Sequence, residues 1–366
     1  MSKSIPGDIN VLVVDDSALM RKLVSTMIEE EPGLHVVDTA MNGKLALEKI
    51  RKHNPDAIVL DIEMPEMNGI EFLKERKRLN INIPVIVLSS IAEKGAAITM
   101  ECLSLGASDF VTKPSGAIST DITSVKEHVN ELLLAYGRRY KRRYKKHGQP
   151  PPIEWPQETA EKTKNVTPLL QPGRIELIVI GISTGGPDAL RVVFSNLDPA
   201  LRQPVLVVQH MPPGFTLEFA RSLDKICPLE VKEAAEGDEL RGGRVLIAEG
   251  SQHLEIERKG RNGIVHLTNS PQVNGHRPSV DVLFLSAAMT YHNHVLGVIM
   301  TGMGRDGATH LGSIYREGGL TLGQDEASSV VYGMPRVAFE LGHVMEQVPL
   351  ERMGQRISEV ARNSKL

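Results

Sequence analysis

The sequence predicts two doubly wound, parallel-sheet α/β domains joined by a linker, and three observations carry that prediction. Short apolar runs alternate with helical patterns from residue 9 to about residue 134. The alternation restarts near residue 174, and a basic, proline-rich stretch separates the two halves. Strands alternating with helices imply parallel sheets with right-handed crossovers, in which ligands gather at the carboxyl ends of the strands. A chain of 366 residues is also too long for one ordinary core, which agrees with two domains.

In the first domain, residues 1–134, an apolar strand over residues 10–14 runs into Asp15, Asp16 and Ser17, and a helix follows from Ala18. Further strands are predicted over residues 35–40, 57–60, 85–88 and 109–111. The third ends on Asp61, the fourth on Ser89, and the fifth leads to Lys113 and Pro114. A parallel sheet therefore gathers Asp15, Asp16, Asp61, Ser89 and Lys113 at one edge. Three carboxylates there repel one another unless a hard divalent cation is bound, and Mg²⁺ suits a few carboxylates plus phosphate oxygens. Lys113 adds a positive charge for a phosphate and Ser89 a hydroxyl donor. The chemistry that follows is phosphoryl transfer onto a carboxylate. Acidic N-caps and a solvated lysine account for any one of these residues, but poorly for four coincident strand ends.

Residues 135–173 have the composition of an extended linker and not of a packed core. Basic residues crowd residues 138–146, interleaved with Tyr140 and Tyr144, and Pro150, Pro151, Pro152, Trp155 and Pro156 follow. The run reads chiefly as a solvated face. Contact with an anionic surface is the alternative.

The second domain, residues 174–366, opens on the stretch around which the chain is organised. An apolar run over residues 177–180 ends in a turn of Gly181, Gly185, Gly186 and Pro187 with Ser183 at its tip. Flanking glycines accept strained backbone angles and leave the hydroxyl open, as a nucleophile elbow requires. The same residues also fit a plain strand-to-helix turn with a serine N-cap, whereas a phosphate-binding loop lacks its Gly-Lys-Ser/Thr ending. Two more buried strands are predicted, over residues 205–208 and 295–300. The first ends at His210 and the second in a glycine-rich turn carrying Met303 and Asp306. Three strand ends thus offer Ser183 as nucleophile, His210 as general base and acid, and Asp306 as the carboxylate that orients the imidazole. The open backbone around Met303 offers its N–H to an oxyanion. In the α/β-hydrolase chain order the histidine would come last, as His343 after Asp325 or Asp306. That arrangement is disfavoured because His343 lies in a helix-like stretch.

The motifs carry a resemblance. Val-Asp-Asp-Ser at 14–17, Leu-Asp-Ile-Glu-Met-Pro-Glu-Met-Asn-Gly at 60–69, Leu-Ser-Ser at 88–90 and Phe-Val-Thr-Lys-Pro at 110–114 resemble a response-regulator receiver domain. Gly-Ile-Ser-Thr-Gly-Gly-Pro at 181–187, Gln-His-Met-Pro-Pro-Gly-Phe at 209–215, His-Arg-Pro-Ser-Val-Asp-Val-Leu-Phe at 276–284, Thr-Gly-Met-Gly-Arg-Asp-Gly at 301–307 and the run at 324–336 resemble the catalytic domain of chemotaxis protein-glutamate methylesterases. The resemblance implies a flavodoxin-like receiver and a Rossmann-like α/β methylesterase domain. It implies that a histidine kinase phosphorylates Asp61, that Asp15, Asp16 and Asp61 hold Mg²⁺, and that Ser89, Lys113 and Phe110 sense the phosphoryl group. For the second domain it implies Ser183, His210 and Asp306 as triad, Thr184 as a neighbour that helps position His210, and no cofactor for the esterase. The implied activity is demethylation of glutamate γ-methyl esters, and deamidation of glutamines, on methyl-accepting chemotaxis receptors, activated by phosphorylation. The implied protein is a cytoplasmic monomer recruited to membrane receptor arrays.

Composition narrows the rest. With 41% hydrophobic and 24% charged residues the chain is of globular type. A net charge of -3 gives no reason to expect nucleic acid as partner, and no helix-turn-helix pattern follows the linker. Cys102 and Cys227 lie far apart without metal-ligand spacing and fit buried thiols in a reducing compartment. Residues 1–10 lack an apolar signal core, and no apolar run approaches the roughly 20 residues of a membrane span, so a chain not embedded in the membrane is expected. The rival to an enzyme is a receiver-controlled binding protein with a catalytically silent second domain.

Overall fold

The computed structural model describes residues 8–89, 93–113, 119–145, 170–259 and 262–364. The chain divides into two compact units, Met1–Glu158 and Thr159–Leu366.

The first unit alternates strand and helix throughout: β1 (Ile9–Val14), α1 (Ala18–Glu29), β2 (Leu34–Ala40), α2 (Gly43–His53), β3 (Ala57–Asp61), α3 (Gly69–Arg78), β4 (Val85–Ser89), α4 (Glu93–Ser104), β5 (Asp109–Thr112) and α5 (Ser119–Tyr140). Its sheet has the order β2-β1-β3-β4-β5 and every pairing is parallel. Strands β3 and β4 are buried at every position, the pattern of a sheet covered on both faces. Side chains start the helices by capping backbone donors that have no partner within the helix. Ser17 Oγ accepts from Met20 N, Asn42 Oδ1 from Leu45 N, and Asn68 with Glu71 closes a capping box.

The composition of residues 135–145 suggests a linker, but they are helical. Helix α5 runs to Tyr140 and one π-helical turn continues through Lys145. The apolar face explains the length, because Val129, Leu132, Leu133 and Tyr136 recur at helical spacing and are all buried. The Tyr136 hydroxyl donates to Ser108 O at 2.7 Å. A Cβ at Gly137 would lie 2.3 Å from Ile9 Cγ2, so the helix crosses β1 where only glycine fits. Within the basic run Lys141 is not simply solvated: it donates to the Asp8 carbonyl and pairs with the buried Asp56 at 3.5 Å. Lys146 and the prolines and tryptophan at 150–156 lie outside the described residues.

The second unit contains β6 (Leu177–Ile182), α6 (Gly186–Ser195), β7 (Val205–Gln209), α7 (Phe215–Asp224), β8 (Glu230–Glu233), β9 (Arg244–Ile247), β10 (His253–Lys259), β11 (Asn262–Thr268), α8 (Val280–Tyr291), β12 (Val295–Ile299), α9 (Ala308–Arg316), β13 (Leu320–Gln324), α10 (Met334–Glu340), β14 (Glu346–Val348) and α11 (Leu350–Asn363). Seven of the strands form one parallel sheet, ordered β14-β13-β12-β6-β7-β9-β8, while β10 and β11 pair as an antiparallel hairpin. Helix α8 is apolar nearly all round, since Val280, Leu283, Phe284, Ala287, Ala288 and Tyr291 are buried together with Leu254, Ile256 and Val265 of the hairpin. The order β12-β6-β7 makes the three strands that lead to Asp306, Ser183 and His210 direct neighbours. His343 lies just past α10 and not within a helix: Gly342, at φ +75, lets the chain leave the helix, and the His343 ring Nδ1 lies 2.9 Å from Ala308 O.

Candidate functional site

Strand β6 ends at Ile182, and the next residue turns. Ser183 N donates to Thr301 O at 3.0 Å, and Gly186 N donates back to Ser183 O at 2.7 Å. Gly185, at φ +78, occupies the left-handed region that the turn demands. A Cβ at Gly186 would sit 1.7 Å from Gln209 Oε1, so any side chain at the start of α6 would push the Gln209 amide aside. The Gln209 side chain explains that closeness: its Nε2 donates to Ser183 O at 3.0 Å and to His210 O at 3.1 Å, tying the first two strand ends together.

His210 joins the other two side chains. Its Nδ1 lies 3.0 Å from Ser183 Oγ and its Nε2 lies 2.8 Å from Asp306 Oδ2. The carboxylate can only accept, so the ring proton belongs on Nε2 and the lone pair on Nδ1 faces the serine hydroxyl. Asp306 is buried, and four further donors converge on it. Oδ1 receives Asn274 Nδ2 at 2.9 Å, Ser279 Oγ at 2.7 Å and Asp281 N at 3.3 Å, and Oδ2 receives Val280 N at 2.7 Å. Burial alone would raise its pKa, but the hydrogen bond and charge of His210 and the bonds from Asn274 and Ser279 outweigh it. The carboxyl stays ionised well below the usual range.

Met303 and Thr184 complete this edge. A Cβ at Gly302 would lie 2.8 Å from Ser183 Cβ, so glycine there brings the backbone leading into Met303 alongside the serine. Thr184 offers its carbonyl to Thr301 Oγ1 at 2.9 Å, a tie to the loop after β12. Asn274, Ser279, Gln209 and His276 were not singled out by sequence reasoning. His276 stacks on His210 with ring centroids 3.7 Å apart and planes 14° from parallel. The signals available were the Asn-Gly pair before the histidine and the motifs at 209–215 and 276–284, which contain Gln209, His276 and Ser279.

In the first unit Asp15, Asp16 and Asp61 each offer a carboxylate oxygen, all within 4.8 Å of one another. Lys113 Nζ reaches Asp61 Oδ1 at 2.7 Å and Asp15 Oδ2 at 3.5 Å. Asp15 Oδ2 is buried and accepts no hydrogen bond. Burial and then the Asp61 charge raise the Asp15 pKa. Burial would lower the pKa of Lys113, but the hydrogen bond and charge of Asp61, with Asp15 behind, raise it. Ser89 is buried and accepts from Thr99 Oγ1 at 2.5 Å, and Phe110 is buried on β5. Arg21, which sequence reasoning also missed, donates to Asp15 O at 2.7 Å and Asp16 O at 2.9 Å, fixing the end of β1. A buried carboxylate oxygen that meets only the Lys113 ammonium, at 3.5 Å, within a cluster of three carboxylates fits a divalent cation with oxygen ligands.

Fold and sites together define a class, a response-regulator receiver ahead of an α/β hydrolytic domain. Residues 11–120 match the response regulator receiver domain and residues 178–357 the CheB methylesterase. A protein-glutamate methylesterase/protein-glutamine glutaminase of Treponema denticola is 55% identical over 96% of this chain and 98% of its own length. Its counterpart in Treponema pallidum is 50% identical over 96% and 97%. The crystal structure of the Thermotoga maritima CheB methylesterase catalytic domain is 37% identical, covers 51% of this chain and 98% of its own, and superposes with a TM-score of 0.50. The chain belongs to the CheB methylesterase family. Receiver domains bind Mg²⁺ at an acidic site, and this chain carries an acidic cluster at that place.

Proposed function

We propose that the chain demethylates glutamate γ-methyl esters, and deamidates glutamines, on methyl-accepting chemotaxis receptors under control of a histidine kinase. The observation that carries this reading is the continuous hydrogen-bonded chain from Ser183 through His210 to Asp306. In the proposed reaction Ser183 Oγ attacks the ester carbonyl while its proton passes to His210 Nδ1, and the ionised Asp306 stabilises the imidazolium. The backbone N–H of Met303 donates to the developing oxyanion, and Thr184 supports the turn beside His210. The C–O bond to the methoxy group breaks, and His210 returns the proton to it, so methanol leaves. Water, deprotonated by His210, then cleaves the acyl-serine and leaves glutamate. With glutamine as substrate the leaving group is ammonia. No cofactor takes part in these steps.

On the first unit the proposal assigns phosphorylation to Asp61, with Ser89, Lys113 and Phe110 responding to the phosphoryl group. Asp15, Asp16 and Asp61 would hold Mg²⁺, which when bound neutralises carboxylate charge and accepts phosphate oxygens as ligands. Lys113, already paired with Asp61, is positioned to exchange that carboxylate for phosphoryl oxygens. The site of action would be the cytoplasmic signalling helices of the receptors. Among the described residues no helix is long and apolar enough to cross a membrane.

Methanol release from methylated receptor membranes tests both halves. Ser183→Ala should lower release by about 10⁶-fold, the scale known for loss of a triad nucleophile. Asp61→Asn should abolish the response to a phosphodonor while keeping basal release. Release that persists in Ser183→Ala would overturn the mechanism. No release from the intact protein would favour a phosphorylation-controlled binding module.

A further inference from the structure

The His210–Asp306 pair is held from outside the three strand ends. Residues 273–276, Val-Asn-Gly-His, form a two-residue reverse turn closed by two backbone hydrogen bonds between Val273 and His276, at 3.1 and 3.0 Å. Asn274 has φ 53 and Gly275 φ 80, the paired left-handed residues that a type I′ turn requires and that Asn-Gly adopts most readily. At one corner Asn274 Nδ2 donates to Asp306 Oδ1 at 2.9 Å and to Asp281 Oδ2 at 2.7 Å. At the other, the His276 ring lies flat on the His210 ring at 3.7 Å.

The loop that carries this turn is pinned at both ends. Buried His253 donates from Nε2 to Pro271 O at 3.1 Å and accepts Ser279 N on Nδ1 at 3.2 Å. Arg277 donates to Asn269 O at 2.9 Å and Ser270 O at 3.1 Å. One imidazole and one guanidinium therefore fix where Asn274 and His276 sit.

We propose that this turn is a positioning device for the reaction, in which Asn274 sets the carboxylate of Asp306 and His276 sets the ring plane of His210. The inference rests on the reading of Ser183, His210 and Asp306 as the catalytic groups. Two bonds through the ring nitrogens fix the direction of the imidazole in its plane but leave rotation about the line joining Ser183 and Asp306. A flat neighbour at van der Waals distance removes that rotation. Neutrality of the second ring matters, because a cation there would repel the imidazolium formed during acylation. Burial, and then the neighbouring His210, hold His276 down to about 4, so it stays uncharged at neutral pH. Catalysis depends steeply on such alignment, since a misplacement of about 1 Å costs on the order of 100-fold.

The full-length protein with His276→Ala, His276→Phe and Asn274→Gly tests the device, since glycine keeps the left-handed backbone while deleting the amide. His276→Ala is expected to lower kcat for methanol release by about 10- to 100-fold with KM unchanged, and His276→Phe, which refills the stack, to recover most of it. Asn274→Gly should also lower kcat at constant KM. A second readout needs no substrate: ring ¹⁵N shifts of His210 should show a single Nε2–H tautomer in the wild type and in His276→Phe, whereas in His276→Ala the untethered ring tilts out of line with Asp306, the bond that holds the proton on Nε2 weakens, and exchange between tautomers should appear. A kcat for His276→Ala within twofold of the wild type, or equal losses in the alanine and phenylalanine variants, overturns the proposal. If the wild type releases no methanol, the catalytic reading fails by itself, and the tautomer measurement still decides whether the turn fixes the ring.

Discussion

Replacing Asp306 by asparagine keeps shape and volume while exchanging one acceptor for a donor, and the environment of that side chain sets the outcome. Oδ1 faces three donors, from Asn274, Ser279 and Asp281, and Oδ2 faces two, from Val280 and His210. An amide would keep its oxygen on the three-donor side and turn its NH₂ toward Val280 N–H and His210. The backbone donor of Val280 is then left buried and unpaired, at about 1–3 kcal/mol of stability. His210 would have to accept on Nε2, moving its proton to Nδ1, where it confronts Ser183 Oγ and prevents deprotonation. The same exchange in a serine protease triad lowers kcat by about 10⁴, equivalent to about 5.4 kcal/mol at 1.36 kcal/mol per tenfold. The assay is methanol release in single turnover, with thermal melting of the same samples. An Asp306→Asn enzyme that folds and keeps more than a tenth of the wild-type rate would refute the assignment of Asp306 as the orienting carboxylate.

Two further predictions follow from other contacts. Gly302→Ala should place a methyl 2.8 Å from Ser183 Cβ, with the Met334 sulfur as its other contact, so kcat should fall by about 100-fold through displacement of Ser183, the proposed nucleophile, checked by single-turnover kinetics and a structure of the variant. At the acidic cluster, Asp15 has a folded pKa above its ordinary 3.8, raised first by burial and then by Asp61. Its ionised form therefore costs stability, a cost absent below 3.8 that grows as pH rises from 3.8 to the folded value and is complete above it. Mg²⁺ at neutral pH should raise the melting temperature of the first unit, by about 2.7 kcal/mol of stability at a hundredfold excess over Kd. Asp15→Asn should stabilise the metal-free protein and remove that gain. Calorimetry with and without Mg²⁺ reads both, and an unchanged Mg²⁺ gain in Asp15→Asn would contradict the assignment.

The strand ends were legible because a strand covered on both faces must be an unbroken apolar run, and the first polar residue after it marks the sheet edge. That rule found Asp61, Ser89 and Ser183 directly, His210 one residue past the first polar position, and Asp306 in the turn after β12. It is silent about β8, β9, β13 and β14, which are short or lie toward the sheet margins, and about a hairpin whose strands mix buried apolar residues such as Leu254, Ile256 and Val265 with polar ones. Asn274, Ser279 and Gln209 escaped for a different reason. Their hydrogen bonds join segments distant in sequence, and an amide or hydroxyl in a loop looks like an ordinary turn former. Residues 135–145 misled because composition counts charges and not faces. Val129, Leu132, Leu133 and Tyr136 make a buried face on the later turns of that helix, and the basic side chains follow at its end.

The placement of these groups within the second sheet has a consequence for local stability. The three strands that carry the site, β12, β6 and β7, are central and buried at every residue, whereas β8 and β14 form the two margins. Opening free energies in a native protein run from near zero at fraying edges to the global value in core strands. Amide hydrogen exchange should therefore be slowest through Ile182, Gln209 and Ile299, the last residues of these strands, and rise sharply in the loops that carry Ser183, His210 and Asp306. The margins of the sheet can breathe without disturbing Ser183, so partial unfolding from either edge should leave the proposed catalytic groups in place until the whole unit melts.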